Sequence, residues 1–158
     1  MEASEEGLLD RIYQRAEVTQ TETNEGKILV VEDEAVPRRL LVFSLERIGF
    51  DVVACEDGPS ALETALNEPF DAVVLDIRLP KMHGWDVLAR LREDPRTADL
   101  PVLVVTAYEG AESQRLSTVT KPDAFLAKPY DVDRLRREVV ALVEKSRSRR
   151  QAGGVQPA

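Results

Sequence analysis

The stretch VVLDIRLPKMHGW, from Val73 to Trp85, decides how the chain is read. With Ala72 in front it opens as an apolar run of strand length, and that run ends on Asp76. A carboxylate at the end of a buried run is costly unless a hydrogen bond, a cation or a metal compensates it. Two things therefore need a source elsewhere in the chain: what holds the Asp76 charge, and what the charge is for.

Outward from Val73 the pattern repeats in both directions. Ile28 to Val31 is an apolar run suited to a strand buried on both faces. Val36, Leu40, Leu41, Leu45 and Ile48 then keep helical spacing, with Pro37 near the start and Gly49 past the end. Asp51 to Cys55 reads as a second strand, and Ser60 to Asn67 as a helix with Ala61, Leu62, Ala65 and Leu66 apolar. Ala72 to Leu75 is the third strand. Trp85 to Arg92 is helical with Leu88 and Leu91 inward, and Asp94-Pro95 stops it. Val102 to Val105 is a fourth strand, Ala111 to Val119 a weak and polar helix, Ala124 to Ala127 a fifth strand, and Asp131 to Lys145 the last helix. Strands alternating with helices in this way predict an α/β fold, a doubly wound five-stranded parallel sheet with five helices over its two faces.

In such sheets chemistry gathers at the carboxyl ends of the strands. Glu32, Asp33 and Glu34 follow the first strand, Asp76 the third, Thr106 the fourth, and Lys128 with Pro129 the fifth. Each has a plain structural reading when taken alone: an Asp there caps a helix, a Thr sits in a turn, a Lys is solvated. Their agreement at four strand ends is what points to chemistry. Carboxylates brought together repel and raise one another's pKa. A hard divalent cation removes that conflict, and Mg²⁺ binds one or two carboxylates while keeping waters and a phosphate. Lys128 can pair with Asp76. A carboxylate so held can act as a nucleophile and form an aspartyl phosphate. In-line phosphoryl transfer needs a metal, a balancing cation and a hydrogen-bond donor, which Mg²⁺, Lys128 and Thr106 would supply.

Composition narrows the class. The chain has 158 residues, 43% of them hydrophobic but only 5% aromatic, so aliphatic side chains must build one ordinary core. A net charge of -8 argues against direct DNA binding, which needs clustered Lys and Arg. Cys55 is the single cysteine, which excludes a disulfide framework and suits a reducing, cytoplasmic setting. No apolar run reaches the length of a membrane span, and the acidic start does not resemble a secretory signal. The organisation expected is an acidic arm over residues 1–26, a domain over 27–145 and a basic, flexible tail over 146–158. Met1 to Glu25 holds seven Asp or Glu and two Arg, and within it Leu8, Leu9, Ile12, Tyr13 and Ala16 fall at helical spacing. The main expectation for it is a solvated arm, partly helical at most. Opposite charge at the two ends would also let the arm lie on the basic last helix.

At this point the sequence resembles the receiver domain of two-component response regulators. The resemblance covers about Lys27 to Lys145 and is carried by KILVVEDE, VVLDIRLPKMHGW, VLVVTA and DAFLAKPY, in the family's order and separations. It implies a flavodoxin-like sheet of order 2-1-3-4-5. It also implies roles. Asp76 would accept the phosphoryl group from a phosphohistidine on a sensor histidine kinase or a histidine phosphotransfer protein. Asp33 would bind Mg²⁺ directly with Glu32 assisting, and Asp76 and the backbone carbonyl of Arg78 would be further ligands. Thr106 and Lys128 would contact the phosphoryl oxygens, and Phe125 stands where the family keeps a switching aromatic. Lys128-Pro129 is often a cis peptide there. Arg78 and Tyr108, two residues beyond Asp76 and Thr106, would flank the water that removes the phosphoryl group. Both are bulky and neither positions a water, so a long-lived phosphoryl group and slow autodephosphorylation are expected. Glu32 stands where Asp is commoner. Lys121-Pro122 replaces the family's small turn, so the preceding polar helix, on the face where family members usually signal, is expected to be short or mobile.

His83 in its loop, Trp85 at a helix start and the Arg-rich last helix (Arg134, Arg136, Arg137) read as structural residues. The functional reading is a stand-alone receiver, a phosphoacceptor and not a turnover enzyme, that presents a switched face to a downstream protein or relays the phosphoryl group. The kinase and the downstream protein are not named by the sequence, and dimerisation is left open. The alternative is a receiver-like scaffold or adaptor that is not phosphorylated, against which the complete acidic, Thr and Lys set argues. A haloacid-dehalogenase-like phosphatase would carry a second Asp where Arg78 stands. A flavodoxin-like nucleotide binder would need a phosphate loop where Glu32, Asp33 and Glu34 stand.

Overall fold

The first strand, β1 (Gly26–Val31), pairs on both sides, and the sheet grows outward from it. In the computed structural model, which describes residues 25–107 and 120–154, β1 lies between β2 (Phe50–Cys55) and β3 (Ala72–Leu75). Next come β4 (Val102–Thr106) and β5 (Ala124–Ala127), giving the order β2-β1-β3-β4-β5 with every pair parallel. That is the doubly wound sheet, and the strand order, that the sequence and its resemblance led us to expect.

Side chains along these strands sort by the two-residue period. Leu29, Val31, Val73, Leu75, Val102 and Val104 face one layer, under α2 (Gly58–Asn67) and α3 (Gly84–Glu93). Ile28, Val30, Ala72, Val74, Leu103 and Val105 face the other, under α1 (Ala35–Glu46) and α4 (Val132–Gly154). The central strands are buried on both sides, so they read as continuous apolar runs without alternation. Local signals start and stop the helices. Asp57 caps α2 by accepting from the Ser60 N–H at 2.8 Å. Gly49, at φ 101°, ends the α1 turn where a side chain would be strained.

One expectation about the helices changes, and one lies outside the described residues. Helix Ala111–Val119 falls outside the described residues, among which the other four expected helices are present. The last helix does not stop at Lys145 but runs to Gly154, so residues 146–154 are not a loose tail. Tertiary anchors explain the extension. Ser146 is buried, Arg147 donates to the Glu25 carbonyl, and Arg150 reaches the Asp71 carboxylate at 3.1 Å and the Phe70 carbonyl at 3.1 Å. Composition alone made this segment look like a solvated basic tail.

The turn from β3 to α3 folds back on the site. Gly84 N–H donates to the Ile77 carbonyl at 2.8 Å, and a Cβ on Gly84 would lie 2.5 Å from the Asp76 carbonyl oxygen and 2.6 Å from Ile77 Cα. Only glycine allows this approach of helix start to strand end. Gly84→Ala should cost about 1–3 kcal/mol through overpacking against backbone, read in urea unfolding as a lower midpoint with an unchanged slope.

Candidate functional site

Because all five strands run the same way, their carboxyl ends form one edge, and the residues that follow them meet there. Glu32 leaves β1, Asp76 leaves β3, Thr106 ends β4 and Lys128 follows β5. Glu32 is 1% exposed, Asp76 8% and Thr106 0%, whereas Asp33 is open to solvent. Lys128 Nζ donates to Asp76 Oδ2 at 3.0 Å and to Glu32 Oε1 at 3.1 Å, bridging residues 52 and 96 positions away in sequence. The other Asp76 oxygen, Oδ1, accepts from the Arg78 N–H at 3.0 Å. The Lys128 N–H donates to the Thr106 carbonyl at 3.0 Å, fixing these two strand ends together. The Lys128-Pro129 peptide is cis.

The charges differ sharply in state. Burial raises Asp76, but neighbouring Glu32, Lys128 and the Arg78 N–H outweigh it and hold the carboxyl below its usual value. Burial, and after it the Asp76 carboxylate, push Glu32 from 4.5 to about 8 against the pull of Lys128. For Lys128, burial works against the charge, and the bonds to Asp76 and Glu32 overcome it and raise the pKa. One ammonium thus holds Asp76 ionised but does not do so for two carboxylates at once.

This is the arrangement that a hard cation completes. Oxygens of Glu32, Asp33 and Asp76 all lie within 4.8 Å of one another. Glu32 Oε2 is buried with no hydrogen-bond partner among the described residues, an orphan acceptor at the centre of an acidic cluster. The donor set is all oxygen, which suits Mg²⁺.

The remaining predicted residues divide. Phe125 stands on β5, 39% exposed, and Arg78 is exposed beside the site. Tyr108 lies outside the described residues. His83 caps α3, its Nδ1 accepting from the Trp85 N–H at 3.4 Å, and Trp85 packs in the core, in line with their structural readings. One residue went unnoticed in the sequence. Arg38, in the first turn of α1, donates to the carbonyls of Glu32 at 3.2 Å and Asp33 at 3.1 Å and pairs with Glu56 at 3.2 Å. It ties down the loop that carries both acids. No spacing rule marks such a residue, because its partners are backbone oxygens.

Residues 28–140 match the sequence profile of the response regulator receiver domain. The chain belongs to the response regulator receiver family. Among relatives of this receiver, a DNA-binding dual master transcriptional regulator of Synechocystis is 35% identical over 120 residues, covering 76% of this chain and 50% of that protein. The alkaline phosphatase synthesis transcriptional regulatory protein PhoP of Bacillus subtilis is 36% identical over 120 residues, 76% of this chain and 49% of its own. The receiver chain therefore spans about half the length of these curated relatives. Among solved structures, the receiver domain of a Pseudomonas aeruginosa sensor histidine kinase, described with a magnesium ion in its active-site cleft, superposes with a TM-score of 0.71 at 25% identity. It covers 75% of this chain and 98% of its own. A sensor protein of a Polaromonas species does so with a TM-score of 0.68 at 32% identity, over 76% of this chain and 97% of its own. Among the described residues no helix is long and apolar enough to cross a membrane.

The two carboxyls set opposite pH trends for the receiver without metal. Glu32 binds its proton more tightly folded than unfolded, so stability falls as pH rises from 4.5 towards about 8. Asp76 is shifted down, so its contribution is lost only as pH falls through its folded value. Urea unfolding in chelator should show maximal stability in weak acid, and Glu32→Gln should flatten the decline towards pH 8. An unchanged decline in the variant would contradict the assignment to Glu32.

Proposed function

We propose that this receiver is a magnesium-dependent phosphoacceptor that takes a phosphoryl group from a phosphohistidine onto Asp76. The observation that carries the reading is the state of Asp76. It is an ionised, largely buried carboxylate, tethered at one oxygen by Lys128 and at the other by the Arg78 N–H, beside two further acids. In the transfer, an Asp76 oxygen attacks phosphorus, the P–N bond to the donor imidazole breaks, and that nitrogen keeps the bond's electron pair and takes up a proton. The product is an aspartyl phosphate.

The chain's own groups fit the requirements of that step. Glu32, Asp33, Asp76 and the Arg78 carbonyl would hold Mg²⁺, which when bound neutralises charge on the phosphoryl oxygens. Lys128 exchanges its bond to the free carboxylate for one to the new phosphoryl group, so the positive charge stays in place while the anion grows. Thr106, at the end of the neighbouring strand, offers a hydroxyl to the same group. Arg38 acts one step back by orienting the loop of Glu32 and Asp33.

Phosphorylation changes the charge that Lys128 and Thr106 answer to, and a population shift between two conformations is the expected output. Exposed Phe125 on the edge strand β5, one strand from Thr106, is the candidate for the moving aromatic. The chemical partner upstream is a histidine kinase or a histidine phosphotransfer protein. Downstream it is a protein that reads the altered face or takes the phosphoryl group onward.

Incubation with acetyl phosphate and Mg²⁺ should add the mass of one phosphate to the intact chain, with no gain for Asp76→Asn or in chelator. A gain that survives Asp76→Asn would move the acceptor elsewhere, and no gain in the native chain would favour an unphosphorylated scaffold. Because bulky Arg78 and Tyr108 take the places that flank the attacking water, the label should persist for minutes or longer at neutral pH. Loss within seconds would overturn the roles given to those two residues.

A further inference from the structure

Away from the acidic edge, at the opposite end of the sheet, α4 leaves a groove of about 490 Å³ against the turn into β2. Its floor is apolar: Phe50 and Val143 are buried, and Ile48 and Val140 are half-buried. Its rim is basic on balance: Arg136, Arg137 and Arg147 outnumber Glu25 and Glu144, and Arg137 and Arg147 are exposed along α4. Arg137 makes no hydrogen bond or ion pair among the described residues. Over its whole length α4 carries seven basic residues against three acidic ones, in a chain whose net charge is -8. A cationic rim around an apolar floor calls for an occupant that is acidic and amphipathic.

The chain contains such a segment, tethered at the groove itself. Glu25, the first described residue, lines the groove, and its carbonyl accepts from Arg147. The 24 residues before it hold six acidic and two basic side chains. Leu8, Leu9, Ile12, Tyr13 and Ala16 repeat at the spacing of one helical face, with Glu5, Glu6, Asp10 and Glu17 around them. Eight residues lie between Ala16 and Glu25 at the groove wall, enough extended chain to turn back onto it. The tether also keeps the effective concentration of this segment high, so a modest contact area suffices.

We propose that the groove between the turn into β2 and α4 is a docking surface for the chain's own N-terminal segment, residues 5–17, with Leu8, Leu9, Ile12 and Tyr13 on Phe50 and Val143 and the carboxylates of Glu5, Glu6, Asp10 and Glu17 towards Arg137 and Arg147. This goes beyond the phosphoacceptor reading and does not depend on it.

The full-length chain tests this with a nitroxide on Ala16→Cys in a Cys55→Ala background, read by paramagnetic broadening of methyl signals. At low salt the Ile48, Val140 and Val143 methyls should lose roughly half their intensity or more, and molar salt should restore much of it by screening the arginines. Leu9→Asp with Ile12→Asp, or Arg137→Glu, should restore it at low salt. The Val87 and Leu88 methyls, on the opposite layer, should be unaffected throughout. Absent broadening, or equal broadening on both layers, overturns the proposal. So does broadening that persists on isotope-labelled chains carrying no spin label when they are mixed with spin-labelled chains, because the occupant is then a second copy.

Discussion

Everything at the working edge of this receiver depends on one ammonium held between two buried carboxylates. Lys128 reaches Asp76 at 3.0 Å and Glu32 at 3.1 Å, and without it two strand ends would present uncompensated charge to a dry interior. The compensation is deliberately incomplete in chemical terms. A single positive charge keeps Asp76 ionised, leaves Glu32 pushed up to about 8, and leaves one Glu32 oxygen without a partner. A site in that condition is receptive to a cation and then to an anion, which is the order that a metal-assisted phosphoryl acceptor requires.

The sheet makes such a meeting inevitable once its direction is set. Parallel strands joined by right-handed crossovers put every strand end on the same edge, so residues 52 and 96 positions apart in sequence come within hydrogen-bond distance. The two apolar layers hold the strands in register to do this. One-residue slippage would swap Leu29 and Val31 with Ile28 and Val30 between layers and carry Glu32 away from Lys128. Loop fixation follows at closer range, through Arg38 on the Glu32 and Asp33 carbonyls and Gly84 against the Asp76 backbone. The edge is therefore rigid where charge is held, whereas Asp33, Arg78 and Phe125 stand towards solvent where a donor, a water or a partner must arrive.

Much of this was legible beforehand because the signals are local. Apolar runs of four or five residues, each followed by a polar residue of a particular kind, mark the strands and their ends, and the motifs around Glu32, Asp76, Thr106 and Lys128 carry the family. The extent of α4 was not legible. A run such as SRSRRQAGG looks solvated until Arg147 and Arg150 find the Glu25 and Phe70 carbonyls and the Asp71 carboxylate. Arg38 was hidden for the same reason, since carbonyl oxygens as partners leave no trace in side-chain spacing.

By itself the sequence determined the strand and helix alternation, the five parallel strands and the residue types at their ends, because hydrophobic period and turn chemistry act over a few neighbouring residues. Only the tertiary structure decided which of those ends share one ammonium, which oxygen goes without a partner and how far the last helix runs. Those outcomes depend on distances between residues far apart in the chain and on how much water each group has lost, and neither is written in any local stretch.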